Sequence, residues 1–250
     1  MPDLTPPYRL ITFAPMVGSE TARLLLRHYQ VAFEENDHLF GWASIVSILN
    51  GGGGAIPMLT GRGMTLRGPR AIADLFEPLA PTDKRLRPDD DVAGVDADWS
   101  VLNGRFKADI AIFAYYHLLP ERALLQPVFA APLKGLEAKL TPHLYPALSV
   151  LFRVLLKLNA ANATAAGERV LTTLHSYDAR LTDGRPFLRG DRPTLGDFAL
   201  AGGCAPMIQP PGFGTIMPAI ADMPRPMRML IDAMRETRAV RRVDALYATL

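Results

Sequence analysis

Between Pro78 and Asp91 every hydrophobic period in the chain breaks, because Pro78, Pro81, Pro88 and the run Asp89-Asp90-Asp91 carry no strand or helix pattern. The two sides of this break differ in kind. Residues 9 to 76 alternate between the two-residue period of strands and the 3.6-residue period of helices. Arg9-Leu10-Ile11-Thr12-Phe13 reads as a strand ended by Ala14-Pro15, and Ala22, Leu25, Leu26 and Tyr29 follow at helical spacing, with Ser19 as the expected N-cap. Val31 to Glu35 is a second, more polar strand, and Trp42 to Leu49 a short apolar helix stopped by Asn50 and the glycines Gly51 to Gly54. Ile56 to Thr60 and Met64 to Leu66 flank Gly61-Arg62-Gly63 as a hairpin, and Gly68-Pro69 opens a third helix with Pro69 at its first position. The expected order is βαβαββα.

Beyond the break the pattern is helical throughout: Trp99 to Leu119, about Leu133 to Leu140, Tyr145 to Leu158, Ala163 to Leu181, Phe198 to Met207 and Pro226 to Leu246. Thr194-Leu195-Gly196-Asp197 ahead of Phe198 fits a capping box. The sequence therefore predicts an α/β domain over residues 1–78, a linker over 79–97 and an all-helical domain over 98–250.

Charge and cysteine content exclude several classes of function. With 27 basic and 25 acidic residues in 250, net +2, the chain lacks the concentrated basic field of a nucleic-acid binder. The six arginines between Arg225 and Arg242 read as a solvated helix face or a binding patch. Cys204 is the only cysteine, which rules out an internal disulfide and any zinc site of several thiolates, and suggests a reducing, cytoplasmic setting. Its apolar, glycine-rich surroundings suit a buried small residue. Met1 to Pro7 has no secretory pattern. Leu144 to Leu158 is shorter than a membrane span and holds Pro146, Arg153 and Lys157, so it is expected to be a buried helix, with a membrane-surface helix as the alternative. Gly51 to Gly54 lack the Gly-Lys-Ser/Thr sequel of a phosphate loop and read as a flexible turn.

Particular residues resemble those of the cytosolic glutathione transferases. Phe13 followed by Glu20-Thr21-Ala22-Arg23-Leu24-Leu25-Leu26 is similar to the family's first strand and helix, and Ile56-Pro57-Met58-Leu59 to its Val-Pro-x-Leu segment. Ala71-Ile72 matches the third helix. The most specific match is Phe187-Leu188-x-Gly190-Asp191-x-Pro193-Thr194-Leu195-x-Asp197. The resemblance implies a thioredoxin-like N-terminal domain, an all-α C-terminal domain, a cis peptide at Ile56-Pro57, and a two-fold homodimer in which Met64 to Leu75 meets the partner's helical half.

It also implies glutathione as co-substrate, no metal, and attack of the glutathione thiolate on a small apolar electrophile. Gly18, Ile56 and Pro57 would line the glutathione site. Many members place a catalytic tyrosine where this chain has Thr12; Ser19, at the start of the first helix, is the first candidate donor to the sulfur and Thr12 the second. Ser19 as a cap alone remains open. The family's Glu-Ser or Gln-Ser of the third helix is Gly68-Pro69 here, which removes two contacts to glutathione that Arg67 or Arg70 would replace unless both are solvated. Phe113, Tyr115, Tyr116 and His117 line the acceptor pocket or belong to the core. Transfer, isomerisation, reductive removal of a leaving group and peroxide reduction all use the same thiolate. A non-enzymatic binding or docking relative is the alternative.

Overall fold

A computed structural model describes residues 8–61 and 63–250. The readings that fall on Met1 to Pro7 and on Arg62 of the hairpin turn lie outside the described residues. A four-stranded sheet is built from β1 (Tyr8–Thr12), β2 (Phe33–Asp37), β3 (Met58–Gly61) and β4 (Met64–Arg67) in the order β2-β1-β3-β4. Between the strands lie α1 (Val17–His28) and α2 (Phe40–Leu49), and α3 (Gly68–Phe76) follows β4. β1 pairs parallel with β2, with Leu10 opposite Glu35, and antiparallel with β3, where Leu10 faces Leu59. This is the expected βαβαββα order, and the Ile56-Pro57 peptide is cis. Instead of swinging freely, the turn from Gly51 to Gly54 is pinned: Gly52 N–H donates to Ser47 O at 2.7 Å, and a Cβ on Gly52 would fall 2.1 Å from Met58 Sδ.

The helical half begins inside the expected linker with α4 (Val92–Val101). A π-helical turn, Leu102–Phe106, separates it from α5 (Lys107–Leu118), so the single helix expected from Trp99 onward is broken at Gly104 (φ −94°, ψ −107°). α6 (Arg122–Ala130) was not anticipated. α7 (Gly135–Leu155) runs through both Pro142 and Pro146, where the sequence suggested two helices. Pro146 has no N–H for the carbonyl of Pro142, and Arg122 Nη2 takes that carbonyl at 2.8 Å. α8 (Ala160–Arg180) and α9 (Leu195–Ile208) follow. The expected last helix is two, α10 (Arg225–Glu236) and α11 (Arg238–Tyr247), because the Thr237 hydroxyl donates to Met234 O at 2.7 Å and accepts from Val240 N–H at 3.2 Å.

One core joins the halves. α9 is buried along its whole length and packs against α1. Its first turn is fixed by Asp197, which accepts from Leu188 N–H at 2.9 Å and Thr194 N–H at 2.8 Å. Burial still holds this carboxyl up at about 6. Arg23 pairs with Glu20 one turn back on α1 (3.0 Å) and ties this helix to Glu35 on β2 and to Thr215 (3.0 Å). Glu137 of α7 accepts from Leu39 N–H at 3.0 Å and pairs with His38, drawing the start of α2 onto the helical half.

The expectation of a buried helix at Leu144 to Leu158 needs correction. Tyr145, Leu148 and Phe152 are buried, but Val150, Leu151, Val154 and Leu155 are exposed, so only one stripe faces the core. Among the described residues no single helix is long and apolar enough to cross a membrane; α7 and α8 pass that test only as a pair bent by 68°.

Candidate functional site

A cavity of about 440 Å³ lies between the two halves. Its α/β wall consists of Phe13, Met16, Val17, Gly18, Ile56 and Pro57. Here the main chain supplies the polar groups. α1 begins at Val17 with Met16 in the N-cap position, and Ser19 N–H and Glu20 N–H both donate to Met16 O. The N–H groups of Val17 and Gly18 therefore have no acceptor among the described residues, as the first turn of a helix dictates. Among the described residues neither the N–H nor the C=O of Ile56 has a backbone hydrogen-bond partner, since pairing of β3 starts at Met58. A Cβ on Gly18 would sit 3.2 Å from Pro57 Cδ, so glycine is what lets the helix start approach Pro57.

The two hydroxyls singled out in the sequence turn away from this wall. Ser19 is the third residue of α1 rather than its cap; it is fully buried, and its hydroxyl donates to Phe13 O at 3.0 Å. Thr12 is fully buried too, with its hydroxyl between the carboxylates of Glu35 (3.2 Å) and Asp37. Burial, reinforced by Glu35, holds the Asp37 carboxyl above its ordinary range. At the start of α3, Gly68 has φ +77° and gives its N–H to Pro57 O at 2.9 Å, while Pro69 lines the cavity without a donor. Arg70 is committed to Asp74 (2.8 Å) and Asp96 (3.0 Å), and Arg67 donates to Gly51 O at 2.8 Å.

The helical wall carries different chemistry. Its polar side chains are Asn103, Lys107 and Tyr115, set among alanines, leucines and methionines. Of the residues expected to line the acceptor pocket, Tyr115 lines this cavity, while Phe113, Tyr116 and His117 do not. Phe113 is buried against Gly167 of α8 and His117. Tyr116 and His117 line a separate depression near Pro120 and Arg153. The helical period explains the split: the cavity face of α5 runs through residues 107, 111, 114, 115 and 118, which takes in Tyr115 and turns Phe113, Tyr116 and His117 elsewhere. The depressed pKa of Lys107, about 7, comes from burial, opposed by the neighbouring Cys204. No composition signal marks Lys107, since a lysine next to Phe106 reads as a solvated residue until the packing is known. Cys204 is fully buried, and burial pushes its thiol upward, away from reactivity.

No protein-family model and no curated protein sequence matches the chain. Solved structures do. FzlA from C. crescentus is 17% identical with a TM-score of 0.56, over 95% of this chain and 92% of its own. The beta-etherase LigF from Sphingobium sp. strain SYK-6 is 14% identical with a TM-score of 0.59, over 97% and 99%. A glutathione S-transferase from Methylobacterium radiotolerans, solved in complex with glutathione sulfonate, is 18% identical with a TM-score of 0.53, over 94% and 92%. The chain has a glutathione-transferase-like fold, a thioredoxin-like α/β domain joined to an all-α domain.

Proposed function

We propose that this protein is a glutathione-dependent transferase in which main-chain groups, not a hydroxyl, activate the thiol. The observation that carries the reading is the juxtaposition of the unpaired Ile56 N–H and C=O with the free N–H groups of Val17 and Gly18 on one wall of an apolar cavity. An extended tripeptide pairs with Ile56 as an added strand does. Its cysteine sulfur then lies at the start of α1, where the partial positive charge and two N–H donors favour the thiolate. The thiol gives up its proton to solvent water, the sulfur forms a bond to an electrophilic carbon of an apolar acceptor, and the leaving group departs with its electron pair. At α3 only the Arg70 N–H remains as a first-turn donor, so the γ-glutamyl end is held less firmly than the cysteine. Calorimetric titration with glutathione tests this: binding at millimolar concentration or tighter is expected, and no heat of binding there overturns it.

Committed hydroxyls at Thr12 and Ser19 and the Gly68-Pro69 pair favour a second reading, a binding module that uses the same scaffold without catalysis. Glutathione that binds without a lowered thiol pKa selects it. The resemblance to the family further supports a two-fold homodimer packing Met64 to Leu75 against its partner, and a monomeric mass by light scattering at micromolar concentration contradicts that. The single cysteine supports a reducing, cytoplasmic setting.

A further inference from the structure

Most of the large apolar side chains that this protein leaves in solvent gather on two helices. Of the fourteen exposed ones among the described residues, nine lie on α2 and α7. Trp42, Ile45, Ile48 and Leu49 stand out from α2, between 41% and 78% exposed, on the side away from buried Ala43 and Ser47. Val150, Leu151, Val154 and Leu155 do the same on α7, behind the buried Tyr145, Leu148 and Phe152. Single exposed leucines are ordinary, whereas a face this dense marks a place of contact. The two helices meet: the rings of Phe40 and Phe152 lie 4.9 Å apart, and Glu137 of α7 accepts from Leu39 N–H.

The charge around this face has one sign. Residues 38–73 and 138–167, which contain both exposed stripes, hold no Asp or Glu, although the chain has 25 in 250. Glu137, at the start of α7, is spent on His38. Lys139 and Arg153 lie along one edge of α7 and Lys157 just past its end, all three exposed. No carboxylate pairs with any of them among the described residues. Glu121 shares a depression with Arg153 without an ion pair. Beyond α2, Arg67 donates to a carbonyl, Gly51 O, rather than to a carboxylate.

These features select among occupants. A two-fold copy seated here would set the basic edge against the same face, with no carboxylate to receive it. A protein partner of another kind would take about ten hydrogen bonds. The exposed positions of α2 and of residues 150–155 offer only the Trp42 indole and Arg153 as side-chain donors. An anionic bilayer asks for what is present: apolar side chains with a tryptophan at the headgroup boundary, and basic side chains beside the phosphates.

We infer that α2 and the C-terminal half of α7 form a seat for an anionic lipid bilayer surface. The apolar stripes enter the headgroup boundary, and Lys139, Arg153 and Lys157 face the lipid phosphates. The inference goes beyond the function proposed above and does not rest on glutathione binding.

The full chain, mixed with vesicles of phosphatidylcholine alone or with phosphatidylserine added, tests it. In about 0.1 M salt, co-sedimentation should show roughly tenfold tighter binding to the phosphatidylserine vesicles, and the preference should vanish at about 1 M, where charges are screened within roughly 3 Å. The two tryptophans report the orientation, because Trp42 is exposed and Trp99 is buried. Lipids brominated in the acyl chain should quench Trp42 fluorescence, and Trp42→Phe should remove the quenching. Ile48→Ser combined with Val154→Ser changes two side chains that are more than half exposed. This pair should weaken binding to both kinds of vesicle by about tenfold or more, with the unfolding midpoint unchanged. Arg153→Gln combined with Lys157→Gln should remove the phosphatidylserine preference alone. No binding to phosphatidylserine vesicles by the unaltered protein would overturn the inference, and so would binding without quenching, which moves the contact to another face such as the arginines of α10 and α11. A dimer that Ile48→Ser with Val154→Ser dissociates would overturn it too, by giving the face to a second copy. The first two outcomes need no variant to fold.

Discussion

The two walls of the cavity use opposite means. On the α/β side the polar groups belong to the backbone, at Val17, Gly18 and Ile56, while the nearby hydroxyls of Thr12 and Ser19 are spent on Asp37 and Phe13 O. On the helical side the backbone is satisfied within α5, and the polar groups are the side chains of Asn103, Lys107 and Tyr115. The difference teaches where substitution is tolerated. A backbone donor survives changes of side chain that leave the turn intact, whereas a side-chain donor is lost with one substitution. The first wall suits a constant co-substrate and the second a ligand that varies.

The largest expected effect is at the anchor of the first wall. Arg23→Met leaves buried Glu20 with the Tyr247 hydroxyl but no cationic partner and cuts the tie to β2 and Thr215, which is worth roughly 3–5 kcal/mol in denaturant unfolding. A loss under about 1 kcal/mol would mean that the wall is held by packing alone.

The helical wall makes the next prediction, in pH. An unfolded lysine keeps its proton up to about 10.5, and folded Lys107 releases it near 7. Between those values the unfolded state binds more protons, so stability from this residue rises with pH, by up to about 1.4 kcal/mol per unit, and is lost on acidification toward 7. Unfolding midpoints at pH 7.5 and 9 should show this slope in the unaltered protein and its disappearance in Lys107→Met.

Gly18→Val should weaken glutathione by tenfold or more, about 1.4 kcal/mol, because its side chain starts 3.2 Å from Pro57 Cδ. Calorimetry with glutathione checks it, and unchanged affinity would remove Gly18 from the site. The smallest effect belongs to Ser19→Ala: roughly 1 kcal/mol of stability for the lost hydrogen bond to Phe13 O, with glutathione affinity unchanged.

The sequence displayed the α/β wall better than the helical one for a physical reason. Backbone geometry at a strand-to-helix turn demands particular residues, Gly18, Pro57 and Gly68 among them, and these stand out in a sequence read cold. The βαβαββα element order, the Pro78 to Asp91 break and the Asp197 cap were legible in the same way. Side-chain partners were not. Ser19 reads as a cap because the pattern starts α1 three residues later than Val17, and no local pattern announces a hydrogen bond to Phe13 O six residues upstream. In α7, which passes through two prolines, the carbonyl freed by Pro146 is taken by Arg122, twenty residues away, and beyond the π turn at Leu102–Phe106 α5 brings Lys107 to the cavity with Tyr115 and leaves Phe113 and Tyr116 off it.

The division of labour between the walls stands or falls on the thiol pKa of bound glutathione, read from thiolate ultraviolet absorbance across pH in the unaltered protein, Ser19→Ala and Thr12→Val. Main-chain activation predicts one value in all three, below the ordinary thiol value of about 8.5. A pKa that returns to that value in Ser19→Ala or Thr12→Val, with glutathione still bound, would contradict it and restore the hydroxyl as the activating group.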